Sequence, residues 1–207
     1  EGARVLLADI DADGASALAS ELGADWCRFD LLDPASITEL FEVAGRRLGG
    51  LDGLANVAAD LRPETIGRDA DVLGLDPEVW DRTLTANLRG VALLIQGALP
   101  LLADAGGGSV VNVSSEAARA GERERPAYAA SKAGIEALTR HVATRWGRDH
   151  IRCNAVSPGV ILPDSASSVR WETADRRYLE EAFQAAGVEY DIQNAEGDRN
   201  QFQTLAD

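Results

Sequence analysis

Short runs of consecutive apolar residues alternate along this chain with longer stretches whose apolar side chains recur at helical spacing. A strand that is apolar at successive positions is buried on both faces, and the helix after it carries the chain back to begin a parallel neighbour. The pattern predicts an α/β architecture with a mostly parallel, doubly wound sheet. Strands are expected at residues 4–9, 26–30, 51–58, 109–114 and 151–157, with weaker candidates at 159–163 and 188–193. Helices are expected at 14–22, 34–48, 77–103, 128–148, 174–186 and 200–207, several of them ended by Gly or Pro. The polar stretch 60–76 reads as a loop near the carboxyl edge of the sheet.

Charge excludes several partner classes. The chain carries 20 basic against 34 acidic side chains, a formal charge of -14, so a nucleic-acid backbone or an anionic membrane would be repelled. No run of consecutive apolar residues nears the roughly eighteen that a membrane span needs, and no basic-then-apolar leader opens the chain. A cytoplasmic location is expected. Cys27 and Cys153 have no spacing for zinc or a disulfide framework, which predicts a reduced pair and no metal site. The sequence contains no Met, including at position 1, which suggests a processed, trimmed or assembled chain.

All the basic side chains are Arg except one, Lys132, which lies four residues after Tyr128 in Tyr128-Ala-Ala-Ser131-Lys132. That spacing stacks phenol and ammonium on one helical face. A cation within about 4 to 6 Å stabilises a phenolate, making Tyr128 a candidate proton donor and acceptor; alone, the pair also reads as a surface Tyr beside a Lys. Thirteen residues upstream the run Ser109-Val-Val-Asn-Val113 ends in Ser114 and Ser115, at the strand end where open α/β sheets place their ligand crevice. Ser115 could donate to a substrate carbonyl oxygen, or cap a turn. Asn87 is a polar amide inside an apolar helix, either part of a site or a core amide bracing nearby backbone.

Taken together these pieces resemble the short-chain dehydrogenase/reductase family. The matching motifs are Asn56-Val-Ala58-Ala, Asn87, Val-Asn-Val-Ser-Ser115, Tyr128-x-x-x-Lys132 and Asn154-Ala-Val-Ser-Pro158-Gly159, all in family order over residues 1–159. The resemblance implies hydride transfer between NAD and a small secondary alcohol or ketone, and leaves a homo-oligomer open. It implies Tyr128 as general acid/base, Lys132 lowering its pKa and holding the nicotinamide ribose, Ser115 orienting the carbonyl and Asn87 supporting a proton relay. Asp9 closes the first strand and would accept from an adenosine ribose while repelling a 2'-phosphate, favouring NAD over NADP; Asp9 could also be a turn or cap residue. Asp30 and Leu31 fall at the adenine-flanking position. Asn56, Ala58, Pro158 and Gly159 complete the expected cofactor contacts.

The family's first strand and glycine-rich turn would precede residue 1. Their backbone N–H groups grip the pyrophosphate, and losing two or three such bonds would weaken binding by roughly three to six powers of ten. On this reading activity is impaired, and strands 4–9 and 51–58 are left with unpaired edges. Residues 159–207 resemble instead the opening strand-helix-strand of periplasmic sugar-binding proteins, with Arg170 and Trp171 beside a sugar. Two segments are therefore expected, a dehydrogenase-like domain at 1–158 and a foreign tail at 159–207. A non-catalytic hybrid scaffold and a vestigial sugar-binding segment are the alternative functions.

Overall fold

The computed structural model describes residues 2–158, all within the first of two units into which the chain divides, Glu1–Gly159. The expectations for Gly159, Arg170, Trp171, the two late strands and the two late helices lie outside the described residues.

Five parallel strands alternate with helices: β1 (Leu6–Asp9), α1 (Ala12–Leu22), β2 (Asp25–Arg28), α2 (Pro34–Leu48), β3 (Gly53–Asn56), α3 (Pro63–Ile66), α4 (Pro77–Leu84), α5 (Val91–Asp104), β4 (Gly108–Val113), α6 (Pro126–Trp146) and β5 (Ile151–Val156). Local chemistry sets several helix ends. The carboxylates of Asp11, Asp33 and Asp76 each accept from a backbone N–H in the first turn of α1, α2 and α4, at 3.2, 2.9 and 2.9 Å. Gly23 and Gly49 end α1 and α2 at φ 64° and 75°, a conformation that a side chain disfavours.

Strand ends differ from expectation by up to two residues, because ladder pairing rather than apolarity decides where a strand stops. The expected loop 60–76 contains the single turn α3, begun by Pro63. The expected helix 77–103 is one continuous Pro77–Asp104 helix interrupted by a π-helical segment at Thr85–Gly90. Its 28 residues, with a window of mean hydropathy 1.4, are long and apolar enough to cross a membrane by length and composition. Here Val91, Leu94, Ile95, Ala98 and Leu102 are buried in the protein core.

The strands form two sheets, β1-β2 and β3-β4-β5. The interruption therefore falls between β1 and β3, the two strands expected to carry unpaired edges. One apolar cluster gathers Val91, Leu102, Val110, Ile135 and Ile151 around β4, and another gathers Phe29, Leu31, Ile37, Leu40 and Leu94 beside the first sheet. Between these edges, unpaired among the described residues, lies a cavity of about 1440 Å³, lined by Leu6, Ala8, Phe29 and Leu54 and, at the strand ends, by Asp9, Asp30 and Asn56.

Candidate active site

The carboxyl end of β4 meets the first turns of α6, and the site is built there. Tyr128 lies half-buried in the first turn of α6, with Lys132 one turn on and 3% exposed. The Lys132 Nζ sits 5.7 Å from the centre of the Tyr128 ring and donates to the carbonyl oxygen of Val113, the last residue of β4, at 2.7 Å. Burial pushes the Lys132 ammonium down from 10.5 to about 8, which leaves it largely charged at neutral pH. Tyr128 and Lys132 are thus joined on one face, as their spacing predicts.

Ser115 is half-buried on the turn after β4, and its Oγ accepts from the Ala117 N–H at 3.2 Å. The capping role left open by the sequence is present, and the hydroxyl proton remains free to be donated. Ser114 points inward at 2% exposure, its Oγ 3.3 Å from the Lys132 carbonyl oxygen.

Asn87 lies in the π-helical segment, 1% exposed. Its Oδ1 accepts from the Asp60 N–H at 2.7 Å and its Nδ2 donates to the Asp60 carbonyl at 3.4 Å, so the amide braces the backbone beyond β3. The Asp60 carboxylate accepts in turn from Arg62 at 2.7 and 2.9 Å and from Arg82 at 2.8 Å. Burial pushes that carboxyl up, but the bonds from Arg62 outweigh it and hold Asp60 below its usual range.

Of the expected cofactor residues, Asp9, Asp30, Leu31, Asn56 and Ala58 line the large cavity together, whereas Tyr128, Lys132 and Pro158 do not. Asp9 is exposed; one carboxylate oxygen accepts from the Asp11 N–H at 2.9 Å and the other has no partner among the described residues, leaving it open to a hydroxyl. Asp30 likewise engages one oxygen, with the Leu32 N–H at 2.9 Å. Asn56 is 5% exposed; its Nδ2 donates to Asn112 at 2.8 Å, while its own Oδ1 is a buried acceptor without a partner among the described residues. A free carboxylate oxygen at a strand tip and an orphaned buried acceptor fit the sugar and amide donors of a dinucleotide. The glycine runs among the described residues, Gly49-Gly50 and Gly106-Gly107-Gly108, lead into β3 and β4 rather than out of a strand into a helix.

Two residues were missed by sequence reasoning. Asp69, in the loop before α4, is 7% exposed and accepts from the backbone N–H groups of Ala127 and Tyr128 at 3.2 and 2.9 Å. It caps α6 from 59 residues away, since the preceding Arg125, at φ 67°, supplies no side-chain cap. Asn112, fully buried in β4, donates to Thr139 Oγ1 at 2.8 Å and fastens the strand to α6. Neither partner is near in sequence, so no local signal marks them.

A family model described as Enoyl-(Acyl carrier protein) reductase matches residues 1–195. The match runs through the expected seam near residue 158 and gives the sugar-receptor resemblance of the tail no support. A probable short-chain type dehydrogenase/reductase of Bradyrhizobium diazoefficiens is 39% identical over 79% of this chain and 59% of its own length. A D-threitol dehydrogenase of Mycolicibacterium smegmatis is 34% identical over 79% of this chain and 63% of its own. The chain thus spans about three fifths of the curated relatives it matches. Among solved structures, a 7 alpha-hydroxysteroid dehydrogenase complexed with NADH and 7-oxo glycochenodeoxycholic acid superposes with a TM-score of 0.71 and 30% identity, covering 78% of this chain and 62% of that one.

Proposed function

Because the chain belongs to the short-chain dehydrogenase/reductase family, we propose that it transfers hydride between NAD and a small secondary alcohol or ketone, with Tyr128 as general acid/base. The observation that carries this reading is the Lys132 ammonium held by the Val113 carbonyl 5.7 Å from the Tyr128 ring, at the strand tip that also bears Ser115. A dinucleotide, when bound, supplies the nicotinamide carbon that accepts or returns the hydride.

The protein's own residues do the rest. In the oxidative direction the Tyr128 phenolate takes the substrate hydroxyl proton as the hydride leaves carbon; in the reductive direction the phenol returns it to the carbonyl oxygen. Lys132 holds its positive charge one helical turn from Tyr128, with Nζ 5.7 Å from the centre of the ring. Ser115 donates to the substrate oxygen and orients it. Asn87 steadies the backbone at Asp60, and the proton relay that the family resemblance implies for it is part of the proposal.

Asp9 and Asp30 would hold the adenosine end, and Asn56, Ala58, Lys132, Pro158 and Gly159 the nicotinamide end. The free carboxylate oxygen of Asp9 supports NAD over NADP, since it pairs with a ribose hydroxyl and repels a phosphate. The described glycine runs lead into strands rather than out of a strand into a helix, so the residues that would grip the pyrophosphate are not among them. The free thiols Cys27 and Cys153 suit a reducing, cytoplasmic setting.

The test is the absorbance of reduced nicotinamide formed from NAD and a panel of secondary alcohols. Turnover that falls by roughly 10² to 10⁴ in Tyr128→Phe supports the assignment; turnover equal to the parent's would refute it.

A further inference from the structure

On the α6 face that carries Tyr128 and Lys132, the next turn carries Glu136, whose side chain is only 12% exposed. Its carboxylate accepts from Ser157 Oγ at 3.0 Å, from Ser114 Oγ at 3.2 Å and from Arg119 Nε at 3.1 and 3.3 Å, with the Arg140 guanidinium 3.9 Å away. Ser114 follows the last residue of β4, Ser157 follows the last residue of β5, and Arg119 closes the 3-10 turn Glu116–Ala118 that Ser115 caps. One carboxylate therefore joins two strand tips and a turn to the catalytic helix. Burial pushes its pKa up, but the bonds from Ser157, Arg119 and Ser114 outweigh that and hold it below the ordinary value. Glu136 is thus an ionised acceptor throughout the neutral range.

Among the described residues Ser115 makes no hydrogen bond to α6. Its distance from the phenol is fixed through neighbours: by Lys132 Nζ on Val113, by the Glu116 N–H on the Pro158 carbonyl at 3.0 Å, and by the group of bonds on Glu136. Of these, only Glu136 gathers β4, β5 and the turn at once. A misplacement of about 1 Å in a reacting constellation can lower a rate by about 10².

We propose that Glu136 is a positioning residue: its carboxylate locks the tips of β4 and β5 onto α6 and so sets the separation between Ser115 and the Tyr128–Lys132 pair. This rests on the proposed dehydrogenase chemistry.

The experiment pairs steady-state kinetics with amide hydrogen exchange of the full chain in Glu136→Ala, Glu136→Gln and Ser157→Ala. Glu136→Ala is expected to lower kcat by about 10- to 100-fold while KM for the dinucleotide stays within about twofold. Exchange at residues 114–118 is expected to quicken at least about tenfold. Glu136→Gln should fall between, since its amide oxygen still accepts from a hydroxyl but cannot pair with Arg119. Ser157→Ala should add little in the Glu136→Ala background. Unchanged exchange at 114–118 overturns the clamp. A lowered melting temperature with undiminished kcat overturns the positioning role and leaves a structural one. A parent chain that oxidises no alcohol would instead sink the functional reading and the positioning role with it, while exchange still decides whether the clamp exists.

Discussion

Replacing Asp69 with alanine removes the acceptor for the N–H groups of both Ala127 and Tyr128. Nothing local takes its place, because Arg125 at the head of α6 makes no side-chain cap. Loss of a helix cap costs about 1–2 kcal/mol, and loss of an anion at a helix N-terminus adds roughly 0.3–1 kcal/mol. At 7% exposure the carboxylate is little screened by solvent, and the two contributions sum to about 1.3–3 kcal/mol. For a protein of this size each kcal/mol moves the melting temperature by about 2–4 °C, so Asp69→Ala should melt about 3–12 °C below the parent by differential scanning calorimetry. Asp69→Asn keeps an acceptor without the charge and should recover about half of the loss. Because one of the two bonds is to the N–H of Tyr128 itself, kcat should fall along with stability, measured well below the melting temperature. A melting temperature for Asp69→Ala within about 1 °C of the parent would refute the capping argument.

Other perturbations test different parts of the structure. Lys132 has a folded pKa near 8 against 10.5 for the free side chain. Between those values the unfolded chain binds the extra proton, so this residue makes stability rise with pH across the window. The difference in urea midpoint between the parent and Lys132→Met, taken at about pH 7.5 and about pH 9, should therefore shift in the parent's favour at the higher pH; the raised pKa values of Cys27 and Cys153 act equally in both proteins and cancel. Gly90→Ala places a methyl 2.8 Å from the Leu31 carbonyl oxygen, and chemical denaturation should read a loss of about 1–3 kcal/mol. Asp9→Ala removes the carboxylate that would repel a 2'-phosphate, so the ratio of kcat/KM for NAD to that for NADP should fall about tenfold or more.

Much of this molecule is written locally. The Tyr128–Lys132 pair is set by one helical turn, the caps at Asp11, Asp33 and Asp76 act on the residues that follow them, and the alternation of short apolar runs with helical-period stretches marks the strands and helices along the chain. Such features depend on contacts within a few residues, so sequence alone decides them. Sequence did not decide that the helix at 77–104 would contain a π-helical segment, which places Gly90 against Leu31, or that Asn87 would brace Asp60. Nor could it show that Asp69 caps α6 or that Glu136 gathers Ser114, Ser157 and Arg119. Each of these is a polar group whose partner is brought to it by the path of the chain over tens of residues. A buried hydrogen bond needs its partner within about 3 Å, and only the packed tertiary structure fixes distances that finely between residues far apart in sequence.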